Sequence, residues 1–258
     1  MIEPVLLRRE GAVAHIRFNR PARLNAVDVP TSQAFLDCCR RVADSTDIRA
    51  VVVGAEGDVF GVGGDLNELK TDPVAGASRL LEPVHEAIKL MAELDVPFIA
   101  SLQGVVAGGS LSLAMGCDLA IAAEATKFNL SYVRIGATCD GSASWSLPRL
   151  VGMRNAMAIA LLGETFDAAD ALRLGMVNMV VPAWSVDATA TELAQRLAQG
   201  PTKAMGRMKR LIRTSFERSL PMQLDQERDE FVANAATEDF RNGIAAFLQK
   251  KKPEFQGR

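Results

Sequence analysis

Two glycine-rich stretches have the residue types that let backbone N–H groups contact a ligand. The first covers residues 60–66 (FGVGGDL) and the second covers 103–110 (QGVVAGGS). Glycine leaves the N–H uncovered, and a helix starting at the second stretch would add partial positive charge. Two such N–H groups aimed at one point would form an oxyanion hole for a carbonyl oxygen that gains negative charge. Plain tight turns are the alternative, and neither stretch has the GxxxxGK[ST] pattern of a phosphate loop.

A single carboxylate, Asp140, lies among small residues in the stretch 136–144 (GATCDGSAS). An unpaired carboxylate is costly to bury, so its presence needs a reason. One interpretation is a helix N-cap, because aspartate is a favoured cap and a helical pattern follows. The other is a reactive acid whose pKa is raised by an apolar pocket, which strengthens it as a base. Histidine chemistry could come only from His15, in a strand-like segment, or from His85.

The elements that must position these residues alternate between strand and helix patterns. Residues 12–18 alternate like a half-buried strand. Continuous apolar runs, typical of buried parallel strands, occupy 50–54, 97–102 and 118–123. Helical spacing of apolar residues occurs over 31–44, 78–94 and 108–115. We therefore predict an α/β core over 1–185, a linker near 180–187 and a C-terminal helical region over 186–258.

The composition gives no indication of a nucleic-acid-binding, membrane-spanning or metal-binding protein. The 258 residues carry a formal net charge of −2, which gives no reason to expect a nucleic-acid partner. The basic clusters at 207–213 and 250–252 are interpreted as a solvated helix face and a tail, or as an anion-binding site. No run reaches the roughly 18 to 20 apolar residues of a membrane helix, and no signal-peptide layout is present. The four cysteines lack metal-site spacing, so we expect no metal and a reducing, cytoplasmic compartment.

Several motifs in the same order resemble those of the crotonase superfamily, the enoyl-CoA hydratase/isomerase family. The resemblance runs from 19–26 (NRPARLNA), through both glycine-rich stretches, to 246–255 (AFLQKKKPEF). It implies a spiral of ββα units followed by C-terminal helices that build a homotrimer or a pair of trimers. It also implies an acyl-CoA thioester as substrate, with no cofactor apart from the coenzyme A of that substrate.

The resemblance assigns roles to residues at matching positions. Gly64 and Gly109 match the two glycines whose N–H groups hold the thioester oxygen. Phe255 and the lysines before it could contact coenzyme A bound to a neighbouring subunit. The positions that cradle coenzyme A correspond here to Arg23, Leu24, Ala26, Val62, Gly63, Asp65 and Leu66.

Departures from the family pattern concern the reaction. The two glutamates that activate water in the hydratases are replaced by Ser112 and Tyr132, so hydratase activity is not expected to be the main one. Asp140 matches an aspartate of certain enoyl-CoA isomerases, including dienoyl and ring-epoxide isomerases, and of 4-chlorobenzoyl-CoA dehalogenase. Tyr132, the only tyrosine, would line the pocket, or its hydroxyl would orient Asp140 or the substrate.

His85 matches the water-activating histidine of the dehalogenase, but Val84 and Tyr132 stand where that enzyme has tryptophans. The sequence over 224–248 resembles the ring-epoxide isomerase branch. The favoured prediction is therefore a double-bond isomerase in which Asp140 shuttles the proton. The alternatives are an aryl-CoA hydrolytic dehalogenase using Asp140 and His85, a weak hydratase, and a non-catalytic acyl-CoA- or RNA-binding homologue.

Overall fold

A six-stranded sheet forms the centre of the protein. The computed structural model describes residues 3–258. The strands of this sheet are β1 Val5–Glu10, β2 Val13–Phe18, β3 Ala50–Ala55, β4 Phe98–Leu102, β6 Leu119–Ala123 and β9 Met179–Val181. Their order is β1-β2-β3-β4-β6-β9; β1 and β2 pair antiparallel and the other neighbours pair parallel. Every residue of β3 is buried, as expected for a continuous apolar strand covered on both faces.

A second, smaller sheet carries the start of a helix. Its strands, in the order β5-β7-β8, are β5 Val105–Ala107, β7 Lys127–Asn129 and β8 Thr165–Asp167. Residues 103 and 104 alone separate β4 from β5, and α3 (Gly109–Gly116) follows at once. The segment β4-β5-α3 is therefore one ββα unit, which agrees with the predicted fold.

The two faces of the large sheet are covered by different helices. Helices α1 (Val29–Ala43) and α2 (Pro73–Glu93) pack with α3 on one face, in the cluster that contains Val51 and Val53. Helix α7 (Val186–Ala198) covers the other face, in the cluster that contains Ala50 and Val52. This alternation is the period of two that a strand imposes on its side chains. The predicted strands and helices up to residue 123 are all confirmed, with boundary shifts of a few residues.

The remaining helices follow the strands of the smaller sheet or complete the C-terminal part. They are α4 Ala143–Val151, α5 Met153–Leu162, α6 Ala168–Arg173, α8 Thr202–Thr214, α9 Leu220–Ala235 and α10 Glu238–Leu248. The predicted division after residue 185 stays a prediction, and α7, directly beyond it, packs on the core sheet. Among residues 3–258, no helix combines the length and the apolarity needed to cross a bilayer.

The basic stretch 207–213 on α8 turns inward to carboxylates that are distant in sequence. The pairs are Arg207 with Glu230, Lys209 with Asp118, Arg210 with Asp95, and Arg213 with Asp118. The interpretation of this stretch as a solvated face is therefore wrong, whereas its interpretation as an anion-binding site stays a prediction. Lys209, Arg210 and Arg213 fasten α8 to the core, and Arg207 fastens it to α9.

Candidate active site

The two glycine-rich stretches follow β3 and β4, which are neighbours in the large sheet. Since parallel strands end at the same edge, both turns emerge side by side. The N–H of Gly61 donates to the carbonyl of Val105 at 3.1 Å, and the N–H of Ala107 donates back to the carbonyl of Gly61 at 2.9 Å. The N–H of Gly63 donates to the hydroxyl of Ser110 at 3.0 Å. These bonds fix the first turn against β5 and the start of α3.

Glycine is required where the two turns approach each other. Gly63 has a φ of 96°, and a β-carbon there would lie 3.0 Å from the nitrogen of Gly109 and 3.2 Å from the carbonyl oxygen of Ala107. Gly108, which precedes α3, has a φ of 52°. Both values lie where L-residues with side chains are rare. The backbones of the two stretches can therefore meet, and plain tight turns are not the whole explanation for these glycines.

Four polar groups surround the space in front of Gly109. A methyl group placed on Gly109 would lie 3.5 Å from Oδ1 of Asp140, 3.7 Å from the hydroxyl of Tyr132 and 3.8 Å from the nitrogen of Gly64. Within the described residues, neither the Gly64 N–H nor the Gly109 N–H has a hydrogen-bond acceptor. Two free N–H groups, a carboxylate and a phenol thus converge, which is the geometry of an oxyanion hole with an adjacent acid or base.

Asp140 is held by a neutral donor. The Tyr132 hydroxyl donates to Oδ1 at 2.7 Å. Burial raises the pKa of Asp140, while the hydrogen bond from Tyr132 and the charge that His85 can carry lower it. The N-cap of α4 is Ser142, and the Asp140 side chain makes no cap bond, so the N-cap interpretation is wrong. Its carboxylate is oriented toward the glycine turns instead.

Ser112 and Tyr132 form a hydrogen-bond chain that ends on Asp140. Their hydroxyl oxygens lie 2.9 Å apart. Because the single proton of Tyr132 goes to Asp140, the Ser112 hydroxyl must donate to Tyr132. Burial, and then the charge of Asp140, raise the pKa of the Tyr132 phenol well above its usual range, so the phenol stays protonated. The sequence pattern alone could not show this chain, since Ser112 lies on α3, Tyr132 in the short helix Ser131–Ile135 and Asp140 in the loop after it.

His85 lies on α2, beside the loop that carries Asp140. Its Nε2 accepts the N–H of Gly141 at 3.2 Å. The Asp140 loop is therefore held from two sides, by His85 of α2 through the Gly141 N–H and by Tyr132 through the carboxylate. His85 is thus brought to the predicted site, but its contact is with the backbone.

The predicted coenzyme A segment lies alongside the first glycine turn. The N–H of Val27 donates to the carbonyl of Gly63, and the N–H of Asp65 donates to the carbonyl of Val27, both at 2.8 Å. Buried Asn25 orders this segment through hydrogen bonds to Glu56 and Val59, a contribution that the sequence reasoning missed. The exposed side chains along this segment are Arg23, Leu24, Val62 and Leu66, and Ala26 is half-buried.

Two predicted binding residues have other contacts. The carboxylate of Asp65 accepts the N–H of Asn67 at 3.1 Å, a bond that lowers its pKa and caps the short helix Leu66–Leu69. The carbonyl of Phe255 accepts a hydrogen bond from Arg49, which precedes β3 and so lies at the end of the sheet opposite the glycine turns. Within one chain Phe255 is therefore not brought to the site, and its predicted contact across subunits stays a prediction.

Comparison with known proteins identifies the family. The sequence profile described as Enoyl-CoA hydratase/isomerase matches residues 8–258. The chain is 34% identical to the 1,2-epoxyphenylacetyl-CoA isomerase of Escherichia coli K12 over 262 residues, covering 100% of both. It is 32% identical to the 2,3-dehydroadipyl-CoA hydratase of the same organism over 257 residues, covering 98% of this chain and 99% of the relative.

A dehalogenase and a solved structure complete the comparison. Identity to the 4-chlorobenzoyl coenzyme A dehalogenase-2 of Arthrobacter sp. is 30% over 254 residues, covering 96% of this chain and 91% of the relative. An enoyl-CoA hydratase structure from Polaromonas sp. JS666 superposes with a TM-score of 0.92 at 32% identity, covering 98% of this chain and 99% of that one. The chain belongs to the enoyl-CoA hydratase/isomerase family and has the crotonase fold. The relatives named above include an isomerase, a hydratase and a dehalogenase, so a reaction can be proposed only from the residues of the site.

Proposed function

We propose that this protein is an enoyl-CoA isomerase that moves a double bond from the 3,4 to the 2,3 position of an acyl-CoA thioester. The observation that carries the proposal is the convergence of Asp140 with the free N–H groups of Gly64 and Gly109. Asp140 is the acid that a substrate held by these N–H groups would meet. Coenzyme A enters as part of the substrate, and the proposed reaction needs no further cofactor.

The reaction is a proton transfer within the substrate. The N–H groups of Gly64 and Gly109 would hold the thioester oxygen, which acidifies the C2 protons and stabilises the dienolate. Asp140 takes a proton from C2 and returns it to C4, so one carboxylate serves as base and then as acid. Its raised pKa suits both steps, because burial strengthens the base and keeps the protonated form accessible.

The neighbours of Asp140 disfavour hydration as the main reaction. At the two positions where the resemblance expects water-activating glutamates, the Ser112 hydroxyl and the Tyr132 phenol are neutral and bonded to each other. The phenol cannot act as a base at neutral pH because its pKa is raised. Asp140 is left as the one carboxylate of this hydrogen-bond chain, which suffices for an isomerase but not for a hydratase that uses two.

We also propose that the protein assembles as a homotrimer or a pair of trimers. Helices α9 and α10 support this proposal, because they leave several large apolar side chains exposed in the single chain. These side chains include Leu224, Phe231, Val232, Phe247 and Leu248. Sedimentation velocity would test the assembly directly.

Proton NMR in D2O tests the reaction. Purified protein is incubated with a 3-enoyl-CoA, and the 2-enoyl product and deuterium at C2 and C4 are followed. We expect Asp140→Asn to lower kcat by about a hundredfold to ten-thousandfold, the range of a lost general base. Asp44→Asn, which removes an exposed carboxylate, is the matched control and should match wild type. Isomerisation that survives in Asp140→Asn would refute the proposal.

A further inference from the structure

The hydrogen bond between His85 and the Asp140 loop determines which nitrogen of the neutral imidazole carries the proton. A backbone N–H can only donate, so Nε2 of His85 must be the acceptor for Gly141. An accepting Nε2 carries no proton, and the neutral ring therefore has its proton on Nδ1. Neither nitrogen then has a free lone pair for a water molecule, since one lone pair is bonded and the other nitrogen is protonated.

The bonded N–H belongs to the peptide that joins Asp140 to Gly141. This peptide is planar, so a bond that orients the N–H also orients the plane attached to Cα of Asp140. Gly141 is buried with a φ of 55°, and a β-carbon there would lie 2.9 Å from Cβ of Ser112 and 3.8 Å from Cδ1 of Ile88. The peptide is thus packed between α2 and α3, where water cannot readily replace the acceptor.

Asp140 consequently has two anchors. Tyr132 holds the carboxylate at one end, and His85 holds the main chain at the other. The anchors come from different elements, so losing the backbone anchor would leave the carboxylate tethered to Tyr132 but free to tilt relative to the glycine turns. A tilt matters because a misplacement of about 1 Å can reduce a rate by roughly a hundredfold.

We propose that His85 is a positioning residue, which fixes Asp140 by accepting the Gly141 N–H, and that it is not a base. The role rests on the proposed function, in which Asp140 carries the proton. It also separates this chain from a hydrolytic mechanism, in which a histidine must take a proton from water.

Amide substitutions of two lengths test the role. The side-chain oxygen of Gln can occupy the position of Nε2 and accept the N–H, whereas that of Asn is one bond short and Leu has no acceptor. We expect His85→Gln to keep kcat within about threefold of wild type, and His85→Asn and His85→Leu to lower it roughly tenfold to a hundredfold. KM for the acyl-CoA should change little in all three, because the coenzyme A segment lies elsewhere.

A second readout needs no catalysis. Hydrogen exchange of the Gly141 amide, followed by mass spectrometry of a peptide spanning the Asp140 loop, should stay slow in wild type and His85→Gln. It should accelerate in His85→Asn and His85→Leu while the rest of the protein keeps its protection. If wild type fails to isomerise any 3-enoyl-CoA, the proposed function is wrong, and this exchange pattern still decides whether His85 anchors the loop.

Three results would overturn the proposal. His85→Gln could lose as much activity as His85→Leu, which would mean that the imidazole exchanges protons. All three variants could match wild type in both readouts, which would mean that the bond has no consequence. A hydrolysis of 4-chlorobenzoyl-CoA that is present in wild type and lost in His85→Gln would identify His85 as a base for water.

Discussion

Asp140 and Asp118 are two partly buried carboxylates with opposite surroundings. The carboxylate of Asp118 forms ion pairs with Lys209 at 3.0 Å and with Arg213 at 2.8 Å. It also accepts a hydrogen bond from the N–H of Phe98 at 2.9 Å. The carboxylate of Asp140 accepts a hydrogen bond from the neutral hydroxyl of Tyr132. In the part of the chain that the structure describes, no cationic side chain lies within 4.0 Å of Asp140.

The difference supports Asp140, and not Asp118, as the carboxylate that we propose to react. Two cations and a backbone donor stabilise the ionised form of Asp118 and engage both of its oxygens, which suits a residue that fastens α8 to the core. Burial without a cation leaves Asp140 with a raised pKa and with lone pairs that face the glycine turns. Substitutions at the two residues and their neighbours distinguish a structural carboxylate from a catalytic one.

The largest effect should come from Asp118→Asn. The substitution leaves Lys209, whose side chain is 8% exposed, and Arg213 without their negative partner. Removing one member of a buried ion pair costs about 3–5 kcal/mol in the free energy of unfolding. Urea denaturation followed by circular dichroism measures this loss. A variant as stable as wild type would show that Asp118 does not fasten α8.

Asp140→Asn is the matching variant, and it should change the free energy of unfolding in the direction opposite to that of Asp118→Asn. The pKa of Asp140 is raised on folding, so its contribution to stability is fully present below the pKa of the unfolded chain and is lost as pH rises through the folded pKa. At neutral pH the ionised carboxylate therefore destabilises the folded state, and the Asp140→Asn protein should be at least as stable as wild type. The stability gap between the two proteins should close on acidification; a gap that widens would contradict the assigned pKa direction.

Gly109→Ala should block the site without unfolding it. The added methyl group would have ordinary contacts of 3.5 to 3.8 Å with Asp140, Tyr132 and Gly64, so the backbone need not move. In the proposed reaction it would stand beside the two N–H groups and in front of Asp140, in the space that the reacting part of the substrate has to enter. The N–H of residue 109 remains, but the substrate is obstructed, and we expect kcat/KM to fall by about a hundredfold to a thousandfold, as much as the loss of an oxyanion-hole donor would cause, with an unchanged melting temperature. Activity close to that of wild type would mean that the oxygen binds elsewhere.

The sequence predicted the parts of the molecule that local patterns determine. The apolar run of β3 and the helical spacing of α2 identify buried elements, because burial imposes a period on the residues themselves. The approach of Gly63 to Gly109 could not follow from spacing, since they lie 46 positions apart. The residue types offered an oxyanion hole built from both stretches only as an alternative to plain tight turns, and the family resemblance favoured it. The basic stretch of α8 was misinterpreted for the same reason, because its partner Asp118 lies about 90 residues earlier.

Tyr132→Phe should alter the pH dependence of the reaction more than its maximum rate. Its hydrogen bond lowers the pKa of Asp140, so its loss should raise that pKa further. A base must be ionised to act, and the acid limb of kcat/KM should therefore move to higher pH, with a loss of roughly tenfold at neutral pH. An acid limb that moves to lower pH, or not at all, would show that the Tyr132 hydroxyl does not lower the pKa of the base.

The smallest effect should come from Ser112→Ala. Ser112 donates to Tyr132 and not to Asp140, so the substitution removes a neutral hydrogen bond worth about 0.5–1.5 kcal/mol and leaves the anchor of the carboxylate in place. The acid limb should move in the same direction as in Tyr132→Phe but by less. If Ser112→Ala alone reproduces the full effect of Tyr132→Phe, and the double variant adds nothing, the hydroxyl chain acts as one unit. Asp140 would then differ from Asp118 not only in lacking cations but also in depending on a network of neutral donors, each of which is needed to hold the next.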